Sequence, residues 1–308
     1  MAEAHLPVLK TEVLTALALK PNQKTIDCTL GAGGHAEAIL QQTGPHGQLL
    51  GLDVDPEALQ LARARLSRFG ERVRLVQTNF DQVAQIATEN DFSPVLGMIA
   101  DLGVSSMQLD QPQRGFSFRQ AGPLDMRMGP EVAETAAMLV NTLAETDLAD
   151  LIYRYGEERK SRPIARAIVK ARPIETTEAL AAVIQQVLGR RPGQRIDPAT
   201  RTFQALRIAV NDELGVLERF LPQAISLLAP GGRLAVITFH SLEDRIVKRY
   251  FQQEASDCIC PPEQLVCTCN HRATVKIVNR KPLVAEETEI ELNPRARSAK
   301  LRVVESLN

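Results

Sequence analysis

The 308-residue chain has no tryptophan, three tyrosines and nine phenylalanines, too few rings for an extensive aromatic stacking surface. No apolar run approaches the ~20 residues needed to cross a bilayer, which excludes a membrane transporter. The opening MAEAHLPVLKTEVL lacks a basic stretch followed by an apolar core, so it does not read as a secretory signal. Five cysteines do not make a secreted disulfide scaffold, and a cytoplasmic location is expected. What is present, 44% hydrophobic and 24% charged residues, suits a folded protein with a sizeable core and not a disordered tail. At roughly 100–200 residues per domain, the length allows one large domain or two modest ones.

The net charge of −1 hides an asymmetry. Residues 151–210 hold twelve Lys/Arg against five Asp/Glu, a local +7, and the remaining 248 residues carry −8. A basic segment on an otherwise acidic chain points to a polyanion contact. Cys28 stands alone in an apolar stretch and reads as a small buried residue, not a nucleophile. Cys258, Cys260, Cys267 and Cys269 form C-x-C-x6-C-x-C with Pro261 and Pro262 between. Four thiols could hold tetrahedral zinc, although the spacing is tighter than the commoner C-x2-C knuckle. Structural zinc and no metal are both left open. A catalytic metal is not expected, since four thiolates leave no free position, and disulfides are disfavoured in a reducing cytosol.

Short apolar runs alternate with helical patterns through residues 24–100. Strands are predicted at Thr25–Leu30, Gln48–Leu52, Val73–Val76 and Val95–Ala100, with helices at Ala36–Gln42 and near Gln82–Thr88. Asp55-Pro56 supplies an N-cap and a first-turn proline for a helix carrying Leu59 and Leu66. Such alternation predicts βαβ units around a parallel sheet. Residues 110–130, rich in Gly, Pro and Arg, read as an ordered loop, and from about 131 to 200 only helices are predicted. One of these carries Leu148, Leu151, Ile152 and Tyr155 at helical spacing, with Thr146 as cap. A further helix begins at Asp197-Pro198. After Pro230-Gly231-Gly232 the α/β rhythm returns with a strand at Leu234–Phe239. Ser241-x-x-Asp244 then fits a helix-capping box, and later strands are predicted at Ala273–Val278, Thr288–Leu292 and Leu301–Val304. The architecture expected is one α/β domain interrupted after its fourth strand by a helical insertion.

In open parallel sheets, ligands bind beyond the carboxyl ends of the strands, and each distinctive polar cluster lies there. The first is Asp27-Cys-Thr-Leu-Gly31-Ala-Gly33-Gly34-His35, where glycines let backbone approach a ligand. It is G-x-G-G, not the G-x-G-x-x-G of dinucleotide binding, and it lacks the Lys-Ser/Thr of a P-loop. Asp53, 20 residues after Gly33, is placed to grip a ribose diol. Phe80 after the third strand can lie against an adenine, and Asp101-Leu-Gly-Val-Ser-Ser106 follows the fourth. Together these suit an adenosine cofactor without pyrophosphate, namely S-adenosyl-L-methionine.

With TLGAGGH (29–35), LDVDP (52–56), DLGVSSMQLD (101–110), GPLDMRM (122–128), RIAVNDEL (207–214), FHSLED (239–244) and NPRARSAKLR (293–302) in this order, the chain resembles the bacterial small-subunit rRNA cytosine N4-methyltransferase family, also called MraW or RsmH type. It departs from that pattern at Ala121 and Gly129, where Asp is expected. The resemblance implies a class I, Rossmann-like S-adenosylmethionine-dependent methyltransferase with an inserted helical domain. The core would comprise residues 1–109 and 201–308, with a loop and helical insertion at 110–200 contacting RNA. It implies that Gly33, Gly34 and His35 contact the methionine portion, Asp53 the ribose, and Phe80 and Asp101 the adenine side, with Gln108 completing the pocket. The implied substrate is cytidine 1402 of the decoding region of 16S rRNA, presented as RNA or as the small ribosomal subunit. A homodimer is compatible with the sequence, and no membrane partner is expected.

The exocyclic amine of cytosine is a poor nucleophile, because its lone pair is delocalised into the ring. Alignment for in-line displacement and an acceptor for its proton are what a site must supply. Asp101, Ser105 and Ser106 are the candidates at the fourth-strand loop, with His240 and Asn211 behind them. The chain has DLGVSS, not the D/N/S-P-P-Y/F of many amino methyltransferases. Arg114, Arg119 and Arg127 are expected to clamp phosphates beside an extruded base. Two other readings share these features: an NAD-dependent oxidoreductase, and a non-catalytic rRNA-binding assembly factor.

Overall fold

The computed structural model describes residues 7–189, 197–261, 263–264 and 266–308. Pro262 and three of the twelve bases counted in residues 151–210, Arg190, Arg191 and Arg195, lie outside the described residues. Contacts divide the chain into two units, one of residues 1–103 and 214–308, the other Val104–Glu213.

Unit one is built on a seven-stranded sheet: β1 (Lys24–Asp27), β2 (Gln48–Asp53), β3 (Val73–Gln77), β4 (Val95–Asp101), β5 (Leu228–Thr238), β6 (Val275–Ile277) and β7 (Lys300–Ser306). Their order is β3-β2-β1-β4-β5-β7-β6. The first five run parallel, and β7 pairs antiparallel with both β5 and β6. This bears out the Rossmann-like α/β class. Because successive side chains point to opposite faces, each strand feeds two cores. Leu50, Leu52, Met98, Ala100, Leu234 and Val236 pack on one face, and Leu49, Ile99, Ala235 and Ile237 on the other. The second face is covered by α1 (Lys10–Leu17), α2 (Gly34–Gln42) and α3 (Pro56–Leu66) through Val13, Leu17, Ile39, Leu40, Leu59 and Leu66. The first is covered in part by α4 (Val83–Glu89) through Val83 and Ala87. Strands buried on both sides read as nearly continuous apolar runs, which is why periodicity alone found them.

Unit two is helical: α5 (Ser106–Asp110), α6 (Ala136–Thr142), α7 (Glu145–Gly156), α8 (Ser161–Ala171), α9 (Thr177–Leu188) and α10 (Thr200–Asn211). Leu148 and Ile152, Ile164 and Ile168, Leu180 and Ile184, and Phe203 and Leu206 form its core. The division falls at 103/104 and 213/214, because α10 buries Phe203 and Leu206 among these helices. The loop before α6 joins the same core through Phe116, Leu124 and Met126. The chain returns to unit one through α11 (Glu213–Ser226) and α12 (Ser241–Glu254), which complete the first face of the sheet with Leu217, Phe220, Val247 and Phe251.

Four local expectations are corrected. The segment expected as a strand at Thr288–Leu292 is the helix α13 (Glu287–Leu292); Leu292 is 77% exposed, so the apparent alternation does not mark a buried face. β5 begins at Leu228, and Pro230-Gly231-Gly232 forms a bulge within it: Leu228 opposes Val95 while Arg233 opposes Gly97. The cap of α7 is Ala144 and not Thr146. The cap of α12 is His240, whose ring accepts from the Glu243 backbone while Glu243 reaches back to the His240 and Phe239 amides. Ser241 is already helical, and Asp244 instead binds Arg302 at 2.7 Å.

Candidate functional site

The sheet order reverses at β1, whose neighbours are β2 and β4. The carboxyl ends of these three strands carry Asp27, Asp53 and Asp101 as their last residues. β1 gives way to a bend held by its neighbours: Leu30 N–H donates to Leu52 O at 2.9 Å and Gly31 N–H to Asp53 Oδ2 at 2.7 Å. Gly31 and Gly33 have φ of +52° and +80°, a region that disfavours any side chain, and Gly33 caps α2. Gly34 is small for another reason: a Cβ there would lie 3.2 Å from Pro7.

Around the bend the polar atoms are buried and incompletely matched. Asp53 accepts from Gly31 through one oxygen and from the Asp55 amide, at 2.9 Å, through the other. Burial raises its pKa to about 6 against the lowering effect of those bonds. Asp27 is 1% exposed; Oδ1 accepts from Thr29 N–H and Oδ2 has no partner. Burial raises its pKa to about 7, partly offset by nearby His35. His35 Nε2 stands 3.6 Å from Asp101 Oδ2, too far for a hydrogen bond. His35 Nε2 and Asp101 Oδ1 are both buried without partners. The Asp101 amide donates to the Thr29 hydroxyl at 2.6 Å, tying β4 to the bend. Cys28 is buried, and burial pushes its thiol well above the usual range, in keeping with an inert core residue.

Phe80 follows β3, packed edge-on against Phe220 with centroids 5.0 Å apart. Beside it Asn79 Oδ1 is buried and unpartnered. Asp27 opens the first polar cluster, but neither it nor Asn79 was given a ligand role from the sequence: a strand-end Asp and an Asn before Phe look like turn residues, and burial without a partner is what marks them. His240 Nε2 is likewise buried and unpartnered, lying 3.1 Å from Glu243 Oε1 but out of line for a hydrogen bond. It borders a cleft of about 280 Å³ that Ser241, Arg297 and Lys300 also line.

The other candidates belong to unit two. Ser105 and Gln108 form a reciprocal capping box at the start of α5, and Ser106 is buried in its first turn. Asn211 is engaged with backbone on both sides: Oδ1 accepts from Met128 N–H at 2.8 Å, and Nδ2 donates to Met126 O and Arg207 O. Arg114 donates to the carbonyls of Arg127 and Met128, and Arg127 pairs with Asp125 at 2.8 Å. Of the three loop arginines, Arg119 is the exposed one. Further exposed bases of this unit sit on α7, α8, the turn between them and α10: Arg154, Arg159, Lys160, Arg162, Arg166, Lys170 and Arg201.

Comparison with known proteins gives a consistent result. The sequence profile of the MraW methylase family matches residues 2–307. A protein of Dehalococcoides mccartyi named ribosomal RNA small subunit methyltransferase H is 54% identical over 98% of this chain and 86% of its own. Proteins of the same name from Geobacter sulfurreducens and Symbiobacterium thermophilum are 52% and 51% identical, each over 100% of this chain and over 100% and 98% of their own length.

Proposed function

The chain belongs to the MraW methylase family, and we propose that it transfers a methyl group from S-adenosyl-L-methionine to N4 of cytidine 1402 in the decoding region of 16S rRNA. The relatives' shared name supports the small-subunit rRNA as substrate, which would place the enzyme's work in the cytoplasm. The observation that carries the cofactor reading is the sign of the site. Three carboxylates, Asp27, Asp53 and Asp101, meet at the glycine bend, where Asp27 senses the charge of both others. Two of them, with His35, leave buried polar atoms unmatched. With Asp27 held largely neutral by burial, Asp53 and Asp101 supply the negative charge there, which favours a cationic nucleoside over a pyrophosphate and argues against the NAD-dependent reading.

When bound, the cofactor supplies an electrophilic methyl on a sulfonium. Gly33, Gly34 and His35 would hold its methionine portion, Asp53 its ribose and Phe80 its adenine, whereas Gln108, whose side chain completes the capping box of α5, is assigned to local structure. Asp101 stands beside His35, so we place it at the methionine end and not along the adenine. There its Oδ1 would accept a hydrogen bond from the cytosine amine, localise the lone pair, and take the proton as the N4–methyl bond forms. Ser105 and Asn211 are assigned to local structure and His240 to capping α12. Exposed bases of α7 and α8 would hold RNA phosphates.

The test is methyl transfer from labelled cofactor to small-subunit rRNA, with N4-methylcytidine identified by mass spectrometry. An rRNA-binding protein without activity would shift the RNA and leave it unlabelled, overturning the reading. Asp53→Ala should weaken binding of S-adenosylhomocysteine by about 10- to 100-fold in calorimetry, the equivalent of one or two charge-assisted hydrogen bonds. Unchanged affinity would remove the ribose assignment.

A further inference from the structure

The loop between α12 and β6 gathers four thiols that methyl transfer does not use, and we propose that Cys258, Cys260, Cys267 and Cys269 bind one zinc ion as a closed structural site. All four sulfurs lie within 4.8 Å of one another. Three of the separations are 3.5 Å (Cys258–Cys267), 3.6 Å (Cys267–Cys269) and 3.8 Å (Cys269–Cys258). A tetrahedron with zinc–sulfur bonds of about 2.3 Å has edges of about 3.8 Å, whereas a disulfide requires about 2.05 Å. The sulfurs are thus spaced as ligands around a common centre.

The backbone is arranged to match. The two C-x-C arms interlock: Ile259, inside the first, donates its N–H to Cys269 Sγ, and Thr268, inside the second, donates to Cys260 Sγ, each at 3.4 Å. Amide donors aimed at sulfur stabilise thiolate in preference to thiol. Among the described residues the segment also lacks an apolar core. Between α12 and β6 the described residues form neither helix nor strand, and its apolar side chains face water, Ile259 being 46% and Val266 73% exposed. A loop without a core of its own is the setting in which a metal supplies the folding energy. His271 is not a fifth ligand, since its Nε2 lies 3.1 Å from Gln253 O. Four thiolates fill a tetrahedral shell, so the ion holds structure and binds no substrate. Binding releases the thiol protons to solvent.

The experiment uses the full chain, purified without a metal-affinity tag. Elemental analysis should find one zinc per chain. Exchange for cobalt should give the charge-transfer and visible bands of tetrahedral tetrathiolate cobalt. Cys258→Ser/Cys267→Ser should remove the metal. Because that variant can also disorder the loop, the unaltered chain is titrated with a thiol reagent: four thiols should stay protected until a strong chelator exposes them together and releases the zinc. Freely reacting thiols with well under one metal per chain would overturn the proposal. So would a mass lower by four hydrogens, which means two disulfides, and one iron per chain would overturn the choice of zinc.

Discussion

The two units use their polar residues in opposite ways. Among the described residues, every buried carboxylate or imidazole atom without a hydrogen-bond partner belongs to unit one: Asp27 Oδ2, His35 Nε2, Asp101 Oδ1 and His240 Nε2. Unit two turns its distinctive polar groups onto its own backbone. Asn211 holds Met126 and Met128, Arg114 holds the same loop, and Arg172 donates to the carbonyls of Val140 and Leu143. An unmatched buried polar atom costs roughly 1–3 kcal/mol, so retaining several at one edge of a sheet is a structural expense without a packing return. The contrast sets carboxylate and imidazole atoms left unmatched in unit one against the arginines and the asparagine of unit two that bind their own backbone; Thr202 Oγ1 is the hydroxyl of unit two that is also buried without a partner.

The largest expected effect tests the unmatched edge through pH. The folded-state pKa of Asp27 is raised to about 7, chiefly by burial, above an unfolded value near 3.9. The folded protein therefore binds more protons than the unfolded chain between these limits, and stability falls as pH rises through that window. About three pKa units correspond to roughly 4 kcal/mol, undiminished by screening because the side chain is buried. Asp27→Asn keeps an oxygen for the Thr29 amide and removes the charge. In urea unfolding it should match the parent below pH 4 and become the more stable protein above pH 7. A parallel pH dependence for the two proteins would show that Asp27 is not the group being kept neutral.

How far the sequence discloses this depends on the range of the forces involved. Asp53 and Asp101 could be placed at strand ends because strands buried on both faces announce themselves as apolar runs. Asp55 and Pro56 announced α3 by local chemistry, and Asp55 does cap it, accepting from Glu57 N–H. α1 carried no such signal, since its flanking residues Leu9 and Ala18 adopt left-handed backbone conformations without a capping side chain. The bulge at Pro230–Gly232 depends on register with β4 and the His240–Glu243 cap on side-chain geometry, neither of which a linear pattern contains. The unmatched states of Asp27 and Asn79 are tertiary facts: both residue types suit turns, and only burial turns them into binding candidates.

A smaller effect probes unit two as a self-contained structure. Asn211→Ala removes three hydrogen bonds to backbone and should lower stability by roughly 2 kcal/mol, read as a drop of several degrees in melting temperature. Affinity for S-adenosylhomocysteine should stay within about twofold. A large loss of affinity with unchanged stability would move Asn211 out of structure and into the cofactor site, and the contrast between units would fail there.

The smallest effect concerns the exterior of unit two. Arg159 and Arg162 are exposed near the start of α8, whereas Arg172 and Arg207 are held by carbonyls and by Glu213. If the exposed pair neutralises phosphates, each contact contributes about one unit to the slope of log affinity against log salt. Arg159→Ala/Arg162→Ala should then weaken RNA binding several-fold at moderate salt, flatten that slope by about two, and leave cofactor affinity unaltered. The effect should shrink as salt rises, because the parent protein loses those same contacts by counterion competition. An unchanged slope would confine RNA recognition to other bases of the chain, and an equal change in cofactor affinity would mean that the double substitution had disturbed the fold instead of the surface.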